Sequence, residues 1–168
     1  WNSTSGGGVY GTAGTVRNCL IVRNRTDVTG GSNAGGVYGA GTLVVESCTI
    51  ADNAGTWTQW NTPIGGIVTA GGCLVRNCAI YGNKDSRDAV ANWLGTGFAY
   101  CCTMPTNGLA GAGHIGADPQ FTDPPGSNYR LLPNSPCINA GQDQAWMATA
   151  LDLDGEPQVV NRKRFFPM

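Results

Sequence analysis

Three carboxylates near the end of the chain are spaced like calcium ligands. Asp152, Asp154 and Glu156 occur in "DLDGEP", and alternating acidic residues followed by glycine are typical of the start of a calcium-binding loop. The later ligands of a full loop do not follow. Asp side chains at this spacing also accept hydrogen bonds from their own backbone in a turn, which needs no ion. We favour the turn, and a Ca²⁺ site is the alternative.

Other residues with catalytic potential are scattered. Glycoside hydrolysis needs two carboxylates about 5–10 Å apart, and a polysaccharide lyase needs acidic Ca²⁺ ligands and a base. Glu46 and Asp52 are the acidic residues of the repeat described below, and each is expected to face an arginine. His114 stands among glycines without a partner for general-base chemistry. We therefore predict no catalytic residue and keep a pectate-lyase-like polysaccharide-degrading enzyme as an alternative function.

Tryptophans and one sequon suggest carbohydrate chemistry. Trp57, Trp60 and Trp93 lie in segments expected to be long loops. Exposed rings can form a platform for sugars, although aromatic loop residues also fold against the flank of a domain, which we favour. A carbohydrate-binding module with a polysaccharide ligand is thus a second alternative. Asn2 begins an Asn-Ser-Thr sequon and is the candidate glycosylation site.

A nine-residue phrase recurs along the first two thirds of the chain. "VRNCLIVRN", "VESCTIADN" and "VRNCAIYGN" occupy residues 16–24, 45–53 and 75–83, and "AYCCTMPTN" at 99–107 fits the same frame. The cysteines of the four copies are 29, 30 and 24 residues apart. Such a period predicts a stacked solenoid. Because glycine falls inside every unit and residues 1–83 contain no 3.6-residue apolar stripe, the sequence predicts an all-β parallel β-helix of about four rungs over residues 1–107. The usual rule for parallel crossovers makes it a right-handed parallel β-helix.

Equal positions of successive copies should lie above one another. The ladders expected inside are Cys19, Cys48 and Cys78, as free thiols, and Asn24, Asn53 and Asn83. The residue before each Cys is expected to form a sharp left-handed corner; these residues are Asn18, Ser47, Asn77 and Cys101. The position after Val carries Arg17, Glu46 and Arg76, so opposite charges alternate up the stack.

The second part of the chain leaves the repeat. The words "GADPQFTDPPGSNYRLLPNSPCINAG" and "DLDGEP" resemble the C-terminal segment of bacterial right-handed parallel β-helix repeat proteins of the choice-of-anchor type, which are surface or secreted proteins. The ending "VVNRKRFFPM" departs from the pattern of that family. We expect residues 108–168 to form an irregular cap of the same domain, wrapped over a terminal fourth rung in which Pro105 marks the edge. Cys102 in that rung and Cys137 in the cap are the disulfide candidate.

Composition narrows the list of partners. Charged residues make up 12% of the 168-residue chain and the net charge is −1, which gives no reason to expect nucleic acid. No apolar run reaches the ~20 residues needed for membrane insertion. The chain begins at Trp1 without Met, which suggests a processed or truncated product.

The repeat predicts an architecture more than a chemistry. We expect a non-catalytic, extracellular or cell-surface structural module of adhesin-like type. Since a β-helix has open ends, it would stack end to end on itself as a stalk or filament, or would continue upstream rungs.

Overall fold

The computed structural model describes residues 5–26, 33–56 and 63–158. Rung one contains β1 (Ser5–Gly6), β2 (Val9–Gly11), β3 (Thr15–Arg17), β4 (Leu20–Val22) and β5 (Arg25–Thr26). Rung two contains β6 (Asn33–Ala34), β7 (Val37–Gly39), β8 (Val44–Glu46), β9 (Thr49–Ala51) and β10 (Ala54–Gly55). Rung three contains β11 (Ile67–Thr69), β12 (Leu74–Arg76), β13 (Ala79–Tyr81) and β14 (Lys84–Asp85). Rung four contains β15 (Trp93–Leu94), β16 (Phe98–Ala99) and β17 (Cys102–Thr103). It is followed by β18 (Phe121–Asp123), β19 (Asn128–Leu131) and a 3₁₀ helix (Ala145–Ala148).

Strands from successive rungs pair in parallel and in register. The stacks are β2-β7-β11-β15, β3-β8-β12-β16, β4-β9-β13-β17 and β5-β10-β14. Val16, Val45 and Val75 lie directly above one another, and Ile21, Ile50 and Ile80 do the same in the next sheet. The predicted parallel β-helix and the stacking of the first three copies are therefore confirmed.

The register predicted for the fourth copy is wrong by one residue. Phe98, and not Ala99, pairs with Val75, and Cys102 pairs with Ala79. The fourth member of the cysteine ladder is therefore Cys101, which is 23 residues after Cys78. The doublet Cys101-Cys102 allows either alignment, and a bulky Phe fills the interior better than Ala at a position otherwise occupied by Val.

Each of the first three rungs turns at two left-handed corners. The first corner is formed by Asn18, Ser47 and Asn77, as predicted, and in rung four by Tyr100 instead of Cys101. The second corner, which the sequence analysis did not identify, is formed by Arg23, Asp52 and Gly82. A left-handed residue between two short strands bends the chain without a longer loop. Consequently Val16, Cys19 and Ile21 and their equivalents can all point inward.

The interior is a dry stack of branched aliphatic side chains. The fully buried members are Val37, Val45, Ile50, Ile67, Val75 and Ile80, and burial of such a side chain stabilises the fold by about 1.5–3 kcal/mol. Glycine is required where rungs approach closely. A Cβ on Gly35 would lie 2.4 Å from the carbonyl oxygen of Ala54 and 2.6 Å from that of Gly65, which explains the recurring Gly-Gly pair.

The C-terminal part covers a flank of the solenoid more than its end. Residues 117–158, called the strap below, run back along the rungs to rung one. The side chain of Asn77 and the backbone of Gln142 exchange hydrogen bonds, and the Asn18 side chain donates to the carbonyl of Leu151. The expectation that the segment wraps over rung four is thus corrected: its Pro-rich turn and antiparallel pair β18-β19 lie beside the corners.

Within the described part of the chain, residues 107–116 cover the last rung. The backbone N–H of Thr103 donates to the carbonyl of Ile115, and that of Ile115 to Cys101. Leu109 packs against the hydrophobic core. Pro105 lies one position later than predicted, in the column of the second corner, because of the shifted register. Among the described residues no helix has the length and apolar character to cross a membrane.

Candidate functional site

A buried carboxylate lies between two arginines on the flank of the stack. Glu46 is 1% exposed; its Oε1 accepts from Nε (2.8 Å) and Nη2 (2.5 Å) of Arg17, and its Oε2 accepts from Nε of Arg76 (2.8 Å). Burial opposes ionisation, but the hydrogen bonds from Arg17 and then Arg76 outweigh it and hold the pKa of Glu46 below its ordinary value. The Arg17 guanidinium also lies 4.0 Å over the Trp146 ring of the strap.

The asparagine ladder is a chain of buried amides. Oδ1 of Asn53 accepts from the backbone N–H (2.9 Å) and the side-chain Nδ2 (3.0 Å) of Asn24. Asn53 makes the same two bonds to Asn83, at 3.0 and 2.9 Å, and Asn83 makes them to Asn92, at 3.0 Å each. The predicted ladder therefore exists, but its fourth member is Asn92, only nine residues on, while Asn107 is exposed.

The cysteine ladder consists of free thiols that bond to backbone. Cys48, Cys78 and Cys101 are buried, and Cys19 is partly buried. Each Sγ donates to the carbonyl two residues earlier, at 3.1–3.3 Å. Burial raises the pKa of the Cys78 thiol well above its ordinary value, which favours the neutral thiol. Inside the stack, these side chains pack as small hydrophobes.

Two other cysteines meet beneath the strap. Cys102 faces outward from β17, and its thiol contacts that of Cys137. The two residues line a groove of about 310 Å³ between the sheet β4-β9-β13-β17 and the strap, together with Thr49, Ala79 and Asn139. Hydrogen bonding to Cys102 lowers the pKa of Cys137. The structure gives both as free thiols, so the predicted disulfide is not confirmed.

The tryptophan platform is not assembled in the described part of the chain. Trp57 and Trp60 lie outside the described residues, as does Asn2. Trp93 belongs to β15 and not to a loop; its Nε1 donates to the carbonyl of Pro105 at 2.8 Å, and its ring packs edge-on against Phe98. Trp93 is therefore half-buried against the last rung and does not belong to a loop platform.

The carboxylates singled out by sequence are bound within the fold. Oδ1 of Asp152 accepts from the backbone N–H of Asp154 (2.8 Å) and Glu156 (2.9 Å), which is the favoured turn. Asp154 pairs with Arg130. Asp52 accepts from the hydroxyl of Tyr129 at 2.7 Å, so its predicted partner, an arginine of its own column, is replaced by the strap.

The described residues contain no group of three or more metal-ligating side chains. His114 lies in the segment over rung four, where its Nδ1 accepts from the backbone N–H of Cys101 at 3.4 Å. The carboxylates Glu46, Asp52 and Asp154 are each bound by another side chain, and the groove is lined by thiols, amides and the carboxylate of Asp143.

Rung one forms the outermost edge of the stacked sheets in the part of the chain that the structure describes. Strands β2, β3, β4 and β5 are each the last in their sheet. The inward residues Val9, Val16 and Cys19 are only partly buried, whereas Val37, Val45 and Cys48, their equivalents in rung two, are buried. The described residues thus leave one end of the hydrophobic interior open.

Backbone donors point outward from this edge. The N–H groups of Val44 and Thr49 in rung two donate to the carbonyls of Gly14 and Cys19 in rung one. Their register partners in rung one are Thr15 and Leu20, whose N–H groups therefore face the open side, where no described strand accepts them. Unpaired strand edges of this kind are templates for a further strand.

The fourth-rung residues that sequence reasoning missed carried only faint signals. Asn92 stands in "VANWLG" outside any recognisable copy, and Tyr100 has none of the usual preference for left-handed corners. Phe98 was the usable signal, since it is the large apolar residue nearest the position of Val.

Comparisons with known proteins do not assign the chain to a family. No protein-family model matches the chain, and neither the curated proteins nor the solved structures contain a significant match. The function of the chain must therefore be inferred from its own sequence and geometry.

Proposed function

We propose that this chain is a non-catalytic structural module that forms the C-terminal end of an extracellular β-helix stalk. The observation that carries the proposal is the difference between the two ends of the stack. Rung four is covered by residues 107–116, with Leu109 on the core. Among the described residues, rung one is the last in its stacked sheets and has a partly exposed interior.

The repeat allows two arrangements, end-to-end stacking of identical copies and continuation of upstream rungs. This asymmetry favours the second. Head-to-tail stacking of identical copies needs two open ends, since the last rung of one copy must pair with the first rung of the next. Here the segment that bonds to Cys101 and Thr103 occupies the last rung. The module therefore suits the end of a stalk better than the repeating unit of a filament.

The chemistry of the described residues supports a structural role. Glu46 is paired with Arg17 and Arg76, Asp52 accepts a hydrogen bond from the hydroxyl of Tyr129, and the ladders fill the interior. Nothing in the described residues favours the carbohydrate-binding or polysaccharide-degrading alternatives. The resemblance of the strap sequence to bacterial surface β-helix proteins is the basis for proposing an extracellular, adhesin-like setting.

The proposal can be tested by electron microscopy of the native material. Four rungs have a height of about 15–20 Å, so a stalk that ends in this module must be visibly longer. A Fab fragment raised against the strap should label one tip of each rod. Label along the whole length, or isolated particles no longer than the module, would overturn the proposal. Turnover of a uronate polymer by the pure chain, lost in Asp→Asn variants, would also overturn it.

A further inference from the structure

The ends of the ladders at rung one define what the open edge can bind. Arg17 is the terminal member of the Arg17–Glu46–Arg76 column; it is 40% exposed and uses Nε and Nη2 on the Glu46 carboxylate below it. In this column a carboxylate binds an arginine above and another below. By the same alternation, the position above Arg17 suits a carboxylate, and no described residue provides one there.

The amide ladder ends in the same direction. In rungs two and three, Oδ1 of each asparagine accepts from the backbone N–H and Nδ2 of the asparagine one rung earlier. Oδ1 of Asn24 is the equivalent acceptor in rung one, and no described group donates to it. A rung placed above would satisfy this oxygen with an asparagine in the same column.

The third feature is an aromatic stack. The rings of Tyr10 and Tyr38 lie 5.6 Å apart and are 10° from parallel. Tyr38 is buried, whereas Tyr10 is 53% exposed and presents its outer face to the open side of rung one. Offset parallel rings attract one another beyond the area that they bury, so a planar side chain in this column extends the stack.

We propose that the N-terminal edge binds one further parallel β-helix rung that carries a carboxylate over Arg17, an asparagine over Asn24 and an aromatic ring over Tyr10. This inference deepens the proposed function and rests on it, because it specifies the chemistry of the stalk that the module ends. A second copy of the chain does not fit. Its last rung has Ala99 in the Arg17 column, and Nδ2 of its Asn92 is bound to the Met104 carbonyl.

The chain itself supplies the probe. Rung two carries the three required residues, namely Glu46, Tyr38 and Asn53. Because Ala34 and Ile64 occupy equal positions before Gly35 and Gly65, a second copy of residues 35–64 can replace residues 1–6 and join directly to Gly7. The added Glu46 then lies above Arg17. Matched variants carry Glu46→Gln or Glu46→Lys in the added copy alone.

Two measurements read the outcome. The first is the alkylation rate of Cys19, measured by peptide mass spectrometry in a Cys137→Ser background because Cys137 is also partly exposed. An added rung should bury Cys19 as Cys48 is buried, and slow the reaction about tenfold or more. The second is thermal unfolding, in which the Glu46→Lys variant of the added copy should melt about 2–4 °C below the extended chain that retains Glu46, with the Gln variant between them.

The results separate this inference from the proposed function. If Cys19 is protected equally and all three extended chains melt together, the edge accepts a rung but the charge chemistry is refuted. If Cys19 stays equally reactive in every folded extended chain, the edge does not bind a rung and both proposals fail. If the unextended chain associates on concentration in sedimentation velocity and Cys19 becomes protected, the occupant is a second copy, and this inference is overturned.

Discussion

The buried carboxylate of Glu46 gives the sharpest test of the stacked register. We consider Glu46→Gln, which keeps the size of the side chain and removes its charge. Three hydrogen bonds from guanidinium groups converge on the carboxylate, and removing one partner of a buried ion pair costs about 3–5 kcal/mol. The arginines are 40% and 34% exposed, so water solvates them in part. We therefore expect a loss of about 2–3 kcal/mol in the free energy of unfolding.

The effect should depend on pH in one direction. Because the arginines keep the pKa of Glu46 in the folded chain below its unfolded value, the unfolded state binds more protons than the folded state between the two. The stabilisation is present above the ordinary Glu pKa of about 4.3 and is lost as the pH falls through the lower, folded value. The difference between the original chain and Glu46→Gln should therefore shrink as the pH is lowered below about 4.

Urea unfolding at a series of pH values measures both quantities. Asp88→Asn is the matched control, since Asp88 pairs with Lys84 at 2.6 Å but is 80% exposed, and such surface pairs contribute about 0–1 kcal/mol. A loss below about 0.5 kcal/mol for Glu46→Gln, within the range of ordinary surface changes, would refute the argument. So would a difference from the original chain that does not change with pH.

Three further changes test the rungs. Asn92→Ala should lower the free energy of unfolding by about 1–3 kcal/mol, because it leaves the buried backbone N–H of Asn83 unpaired and removes one acceptor of its side-chain amide. The exposed Asn107→Ala should change the free energy of unfolding by less than about 0.5 kcal/mol; equal urea midpoints would contradict the revised register. Leu20→Pro should be tolerated because the N–H of Leu20 faces the open edge. Ala79→Pro loses a 3.0 Å hydrogen bond to the Cys48 carbonyl, so it should lower the free energy of unfolding, measured by thermal unfolding, by about 1–3 kcal/mol. Gly35→Ala should cost a similar amount, about 1–3 kcal/mol, because its Cβ would meet two carbonyl oxygens; an unchanged melting temperature would mean that the rungs can separate there.

The first three rungs could be predicted from sequence because one column constrains the next. Val16, Val45 and Val75 must face inward at equal positions, since a slip by one residue would turn a whole strand inside out. The charges of Arg17, Glu46 and Arg76 provided an independent check on this register. Because the pattern repeats, a weak local signal was enough to predict the register of the first three rungs.

Rung four could not be placed in the same way, because it is the shortest repeat and borders a different structure. With Cys101 and Cys102 adjacent, cysteine alignment has two solutions. The choice depends on how Phe98 fills the interior and on Asn92, which reaches the amide ladder from a loop. Both are packing effects between residues distant in sequence. The position of the strap was likewise unpredictable, because its contacts are made by polar corner residues that carry no periodic signal.

The corner residues explain why some columns vary while others do not. An inward column such as Cys19, Cys48 and Cys78 experiences the same surroundings in every rung, so the same residue recurs. At the second corner rungs one and two meet different parts of the strap: Arg23 binds the turn at Ser127, and Asp52 accepts from Tyr129. In rung three this column holds Gly82, where a Cβ would lie 2.5 Å from Oδ1 of Asp52. The variation along this column therefore records the path of the strap, and a repeat protein whose corner column is uniform should have no such segment on that flank.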